Sequence, residues 1–325
     1  MTNRRVLVFG SNGLLGQKIA ELLVRGTPAS VTLSSFEDAP GRVMDPAEYV
    51  QADITSKKDV KQVVAHCEPD VIINCAAITN VDACETEREP AWKVNVGGVE
   101  HIIEAARRTD ALIVHVSSDY IFDGKNGPYT EEDRPEPLSY YGKTKLAGEN
   151  ALRVSGLKYL IARTMILYGF APGVKQNFAL WLIQSLEKQT PVRIVDDQFG
   201  NPTLADDLAY GLLRGVELGR TGIYNIAGRD IVSRHEFALR IARAFNLDAS
   251  LVSPVKTAQL RQPAHRPLKS GLITLKAEVE LGIHPSTIEQ GLAVLRNQIS
   301  RGKRRAADSG PVPGQPHGRG TTRGT

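Results

Sequence analysis

The segment that most constrains this chain is Val6–Phe9 running directly into Gly10–Ser11–Asn12–Gly13–Leu14–Leu15–Gly16. A short apolar run, three glycines spaced GxxGxxG, and then Leu15, Ile19, Leu22 and Leu23 at helical spacing predict a strand, a tight turn and a helix. Glycines in such a turn let the backbone come close to a ligand, and the N–H groups that open the helix favour an anion. Three spaced glycines also occur in plain βα turns. Their place between the first strand and the first helix predicts a loop for the pyrophosphate of a dinucleotide, held by Gly10, Asn12, Gly13, Leu14, Leu15 and Gly16.

The alternation begun by this unit continues. Ser30–Leu33, Tyr49–Ala52, Val71–Cys75, Leu112–Val116 and Lys158–Ala162 read as buried strands, without the strict polar alternation of a half-exposed sheet. Val99, Ile102, Ile103 and Ala106 mark one of the helices between them. The expected fold is α/β of the Rossmann type, a doubly wound parallel sheet with right-handed crossovers. Residues 1–165 form its NAD(P)-binding domain. Beyond them the pattern loosens into helices at Asn177–Glu187, Leu204–Glu217 and Ser233–Phe245, with strand-like runs at Val192–Val195 and Ile223–Ala227. Residues 204–230 are expected to return to the first domain, while 166–203 and 231–300 form a smaller C-terminal substrate lobe over the strand ends. From Arg301 the sequence turns to Gly, Pro, Arg and Ser with no apolar period, which predicts a disordered basic tail over 301–325.

Composition excludes several function classes. The 325 residues carry a formal charge of +4, but six basic residues against Asp308 give the segment after Ser300 a charge of +5, leaving −1 for the rest. A body without clustered basic residues argues against nucleic-acid binding. Three cysteines, Cys67, Cys75 and Cys84, with no CxxC pair, fit a reducing compartment. The N-terminal MTNRR–VLVFG starts like a signal peptide, yet it breaks at Gly10–Gly13 and continues with Lys18 and Glu21. No apolar run has the length of a bilayer span. A cytoplasmic protein with no membrane or nucleic-acid partner is expected, and no metal site is assigned.

The end of the second strand bears on the choice of cofactor. An acid there would bind a ribose 2′-hydroxyl and repel a 2′-phosphate. This strand ends Leu33–Ser34–Ser35–Phe36, with Glu37 and Asp38 only afterwards and Arg42 as the nearest base. Ser34 and Ser35 therefore favour NADP(H), with NAD(H) left open. Asp53, followed by Ile54, is placed either to accept from the adenine amino group or to cap the next helix. Ala76, Ala77 and Thr79, after the fourth strand, leave room beside the cofactor.

The fifth strand opens into Ser117–Ser118–Asp119–Tyr120, and Tyr141 and Lys145 follow within YYGKTK. Residues four apart share a helix face. A phenol titrates near ~10, and a neighbouring cation favours its ionised form. Tyr141 is accordingly read as a general acid, Lys145 as its cation and a ribose ligand, and Ser118 as a second donor to the same carbonyl oxygen. Asn95 is a fourth candidate, ordering a water near Lys145. Against this stands the plain reading of YxxxK as an exposed helix face. Tyr140 lacks a lysine at i+4.

Taken together, GSNGLLGQ, NCAAITNVDACE, VNVGG, VSSDYIFDG, PYTEEDRPEP and YGKTKLAGE resemble the dTDP-4-dehydrorhamnose reductase family, a group of extended short-chain dehydrogenase/reductases. QNFAL, DDQFGNPTLADDLA, GIYNIAG and Arg266–Pro267 extend the likeness through the second half, so it covers Arg4 to about Leu295. The resemblance implies hydride transfer from NAD(P)H to the C4 ketone of a nucleotide-linked 4-keto-6-deoxysugar, dTDP-4-dehydrorhamnose going to dTDP-rhamnose. It places Ser118, Tyr141 and Lys145 at catalytic positions, Asp119 and Tyr120 beside the sugar, and Asn177, Gln198 and Arg266 near the nucleotide diphosphate. Ile166 stands where these reductases typically carry a tryptophan that packs on the sugar, and Ser118 where they carry threonine. An aliphatic residue at that position is also seen in the methionine adenosyltransferase regulatory β subunit, which has the same fold, binds NADP and acts as a partner protein. That resemblance implies an alternative, a non-catalytic regulatory subunit, beside a reductase or epimerase acting on another nucleotide sugar. Some family members form a homodimer through acidic residues and Mg²⁺, an ion whose ligands are not placed on this chain.

Overall fold

Strand and helix alternate through the first half as β1 (Arg5–Phe9), α1 (Leu14–Gly26), β2 (Ser30–Ser35), β3 (Glu48–Gln51), α2 (Lys57–Cys67), β4 (Val71–Asn74), α3 (Val81–Thr86) and α4 (Arg88–Trp92). A π-helical turn (Lys93–Gly97) then leads into α5 (Gly98–Ala106), β5 (Leu112–Ser118), α6 (Tyr140–Arg153) and β6 (Tyr159–Thr164). The second half adds β7 (Leu167–Tyr168), α7 (Phe178–Glu187), β8 (Val192–Val195), β9 (Phe199–Gly200), β10 (Thr203–Leu204), α8 (Ala205–Glu217) and β11 (Gly222–Asn225). It closes with β12 (Val232–Ser233), α9 (Arg234–Ala244), β13 (Val252–Val255), α10 (Thr257–Leu260), α11 (Leu275–Leu281) and α12 (Ile288–Asp308). The computed structural model describes residues 4–26 and 29–308.

Seven strands form one parallel sheet in the order β11-β6-β5-β4-β1-β2-β3. The unbroken apolar character of its strands follows from cover on both faces. Val6 and Val8 point into one core with Val71, Ile73, Val114 and Leu160, roofed by Ile19 and Leu23 of α1 and Leu208 and Leu212 of α8. Leu7 and Phe9 point the other way, with Ile72, Ile113 and Ile161, under Val60 and Val63 of α2 and Val99 and Ile102 of α5. The strand order reverses at β1, which lies between β2 and β4. The crevice at that reversal, outside the carboxyl ends of the strands, is where α/β sheets bind ligands.

After β6 the chain alternates between this sheet and a third core. α8 covers the first face and β11 adds the outer strand, pairing Gly222 with Leu160 and Asn225 with Arg163. The third core gathers Leu182 and Leu186 of α7, Ile194 of β8, Phe237 and Ile241 of α9, and Leu292 and Leu295 of α12 beside the parallel β8–β13 pair. The expected tail boundary at Arg301 is displaced: α12 continues without a break to Asp308. Ile299 packs against the third core, and a Cβ on Gly302 would lie 2.6 Å from the Phe170 ring, so backbone and ring are in close contact there. Residues 309–325 of the expected tail lie outside the described residues.

Candidate active site

The glycine loop meets the requirements of a phosphate cradle. Gly10 has φ +73°, and a Cβ there would sit 2.7 Å from the Ala76 backbone nitrogen. A Cβ on Gly16 would overlap the Gly10 carbonyl oxygen. Both positions thus admit only glycine, and the first-turn N–H groups of α1 open onto the crevice without intrahelical acceptors. The Ser11 and Ser34 hydroxyls are buried here without hydrogen-bond partners among the described residues, as expected of a site shaped for a polar ligand. Leu15 is buried in the core, so only its backbone faces this function, whereas Leu14 is half-buried.

Around the cradle, Ser35 Oγ accepts from Asn12 N at 3.1 Å, and Asn12 Nδ2 donates to Glu37 Oε2 at 3.1 Å. The acid that the strand end lacks is therefore carried back to the loop by the following turn. Arg42 points instead towards Glu21, at 3.9 Å. Asp53 accepts from the backbone and hydroxyl of Thr55, both at 2.8 Å, but α2 is capped by Ser56, so the alternative of Asp53 as helix cap is corrected. Ile54 is buried against Gly98, Ala76 and Ala77 are half-buried, and Thr79 is exposed.

The end of β5 carries Ser118 and the start of α6 carries Tyr141 and Lys145, the residues expected to react. Asn95 sits in the π-helical turn, where such bulges often mark functional sites. Its side chain accepts from Ile78 N at 2.9 Å and donates to Ile78 O and Thr144 Oγ1, both at 3.0 Å, latching the loop after β4 to α6 one residue before Lys145. Ser139 caps α6, accepting from Gly142 N. A Cβ on Gly142 would overlap the Tyr120 carbonyl oxygen, so this glycine lets Tyr141 approach the segment after β5. Tyr120 and Tyr141 meet edge-on with ring centroids 5.5 Å apart. Ser118 Oγ donates to Asp119 Oδ1 at 3.0 Å, and Ser270 Oγ donates to Asp119 Oδ2 at 2.6 Å.

Burial dominates the electrostatics. It raises the Tyr141 phenol well above its ordinary value, opposed by the neighbouring Ser118 hydroxyl. The lowering of Tyr141 expected from Lys145 is thus not what sets the phenol here, since desolvation favours its neutral form. Lys145, 2% exposed, is pushed down to about 8 by the same desolvation, with Glu149 and Cys75 acting in the opposite sense. Asp119 is pushed up to about 6 by burial, against its two serine donors.

Beside this centre lies a pocket lined by Asp119, Tyr120, Ile166, Gln198, Arg234 and Ser270. Ile166 adopts φ 46°, a strained left-handed conformation for a β-branched residue that recurs at functional sites. Arg266 does not line it but adjoins it through Pro267, and its guanidinium grips Asp82 at 3.0 and 2.7 Å. Gln198 Nε2 donates to Thr257 Oγ1. Asn177 caps α7, accepting from Leu180 N and donating to Gly169 O at 2.8 Å, which accounts for its side chain by local structure alone. Sequence reasoning missed Arg234 and Ser270. The serine before Arg234 reads as an ordinary helix cap, and nothing local ties α9 to β5.

Residues 4–300 match the family model described as the RmlD substrate binding domain. The chain is 35% identical to a dTDP-4-dehydrorhamnose reductase of Aggregatibacter actinomycetemcomitans over 90% of this chain and 98% of that one. It belongs to this family of sugar-nucleotide reductases. Among solved structures, the Bacillus anthracis dTDP-4-dehydrorhamnose reductase in complex with NADP superposes with a TM-score of 0.79 at 29% identity, covering 91% of this chain and 99% of that one. The chain is also 30% identical to the methionine adenosyltransferase 2 subunit beta of Rattus norvegicus, over 88% of this chain and 84% of that one. No helix among the described residues is long and apolar enough to cross a membrane.

Proposed function

We propose that this protein reduces the C4 ketone of a nucleotide-linked 4-keto-6-deoxysugar, with dTDP-4-dehydrorhamnose to dTDP-rhamnose as the reaction to test first. The observation that carries this reading is the Ser118 hydroxyl at the Tyr141 phenol, with Lys145 one helical turn on and close to Cys75, which packs against a glycine cradle that a Cβ would fill. Gly10, Gly13, Gly16 and the first turn of α1 would hold the pyrophosphate of a nicotinamide dinucleotide, which supplies the hydride when bound. Burial keeps Tyr141 protonated at neutral pH, so its phenol can give a proton to the ketone oxygen as that oxygen gains charge. The Ser118 hydroxyl is a rotor that can turn from Asp119 to donate to the same oxygen. Lys145, one helical turn from Tyr141, is a cation below about pH 8 and offsets the charge left on the phenolate.

NADPH is the preferred donor on this reading, because the β2 end presents Ser34 and Ser35 and the Glu37 carboxylate is engaged by Asn12. The NADP-bound relative supports it. Fluorescence titration of both cofactors checks it, and tighter NADH binding would assign Glu37 to the ribose instead. The decisive assay is NADPH oxidation with freshly generated dTDP-4-dehydrorhamnose.

One observation favours a second reading. Ile166 offers no aromatic platform for a sugar ring, and the regulatory β subunit is among the relatives. A lost apolar contact of that kind costs about 1–3 kcal/mol of discrimination, enough to redirect the substrate without abolishing hydride transfer. No turnover on any nucleotide-linked 4-keto-6-deoxysugar, with recovery of a stoichiometric methionine adenosyltransferase from the native cell extract, would overturn the reductase assignment.

A further inference from the structure

Arg234 is the first residue of α9, next to its cap Ser233, and its main-chain N–H donates to Gln198 O at 2.9 Å. This fixes the start of the helix against the pocket wall. The side chain lines the pocket with Asp119, Tyr120 and Gln198, and its guanidinium carbon lies 5.6 Å from the Phe178 ring centroid. Among the described residues it makes no ion pair and no side-chain hydrogen bond. Asp119, the nearest acid in the pocket, is satisfied instead by Ser118 and Ser270.

Arg266 presents the opposite case. Asp82 holds it with two bonds to one carboxylate, and Ala264 O accepts a third at 3.0 Å, so its charge is already compensated. An arginine carries five N–H donors and no acceptor, and its planar fork matches two oxygens of a phosphate. Half-buried, with those donors unbonded among the described residues, the guanidinium is poorly solvated, and burial acts to lower the Arg234 pKa against the attraction of Tyr120 and Asp119. Arg266, beside the pocket, thus has its donors committed to Asp82 and Ala264 O, whereas Arg234, on the pocket wall, has no side-chain donor bonded among the described residues.

We propose that Arg234 binds the diphosphate of the nucleotide sugar, supplying the charge that Arg266 has committed to Asp82. The proposal rests on the nucleotide-sugar reading above and adds to it a residue that determines substrate affinity.

The test is calorimetric binding of dTDP, UDP, thymidine and NADPH to the full chain, to Arg234→Ala and to Arg234→Lys. Charge-assisted hydrogen bonds of this kind predict about 10- to 100-fold weaker dTDP binding for Arg234→Ala, with a smaller loss for Arg234→Lys. Thymidine and NADPH affinities stay unchanged, which separates lost diphosphate contact from misfolding. Should Arg234→Ala not fold, Arg234→Lys and Arg234→Gln carry the same comparison. Unchanged dTDP binding overturns the inference alone. An equal loss for thymidine and NADPH marks a structural role and also overturns it. A wild-type chain that binds neither dTDP nor UDP overturns both this inference and the nucleotide-sugar reading.

Discussion

Burial favours the neutral form of both partners in the Tyr141–Lys145 pair, but only the lysine is brought close to physiological pH. The phenol therefore enters the reaction carrying its proton. Replacing Tyr141 by Phe should lower turnover by about 10²–10⁴ with little change in cofactor affinity, measured by steady-state NADPH oxidation and fluorescence titration. Near-full activity in that variant would move the role to Tyr120 or Tyr140. Lys145 predicts a pH profile. With its pKa at about 8, the cation is present below that pH and lost above it, so kcat/KM should fall as pH rises through about 8. Lys145→Arg, which does not titrate in this range, should lose that limb even if its overall rate is lower. The same shift has a stability sign. The folded-state value lies below the ordinary 10.5, so the unfolded chain binds more protons between the two, and the cost of burying the cation fades as pH rises through that window.

The helix α6 holds these two groups in place, and its own anchor is Glu149, one further turn along the same face. Glu149 is fully buried and receives Arg163 Nε at 3.1 Å and Nη2 at 2.8 Å, while Arg163 Nη1 donates to Glu131 O. Every charge here is paired and hydrogen-bonded, so removing one partner leaves the other uncompensated. Glu149→Leu should cost about 3–5 kcal/mol, read as a lower urea midpoint, and a double change with Arg163→Met should recover part of it. No recovery in the double variant would show that packing, not charge, dominates. The contrast between YxxxK and this pair explains what a sequence reveals of such a site. Tyr141 and Lys145 are joined by helical period, which local spacing displays. Glu149 meets Arg163 only because α6 packs beside β6, and Arg234 reaches the pocket only because its backbone is bonded to Gln198. Contacts made between distant segments leave no periodic trace.

At the scale of the molecule, the same distinction separates the two halves of the chain. The first half was legible because each strand buries both faces, so unbroken apolar runs announce a parallel sheet and the glycine loop fixes where it begins. In the second half, short strands such as β7, β9, β10 and β12, two residues each, carry no period to detect. The C-terminal boundary failed for a related reason. Apolar spacing in α12 stops at Ile299, while the helix continues because Gly302 allows close approach to Phe170. That contact supports a prediction about length. A chain ending at Asp308 should keep its melting temperature and turnover, since residues 309–325 are rich in Gly, Pro and Arg with almost no apolar side chain to bury. A chain ending at Ser300 removes the last two turns of α12 and uncovers Phe170 beside the third core, so it should melt several degrees lower. Equal melting temperatures for the two truncations would mean that the helix end adds nothing to the fold, and lost turnover in the Asp308 chain would give the final segment a role.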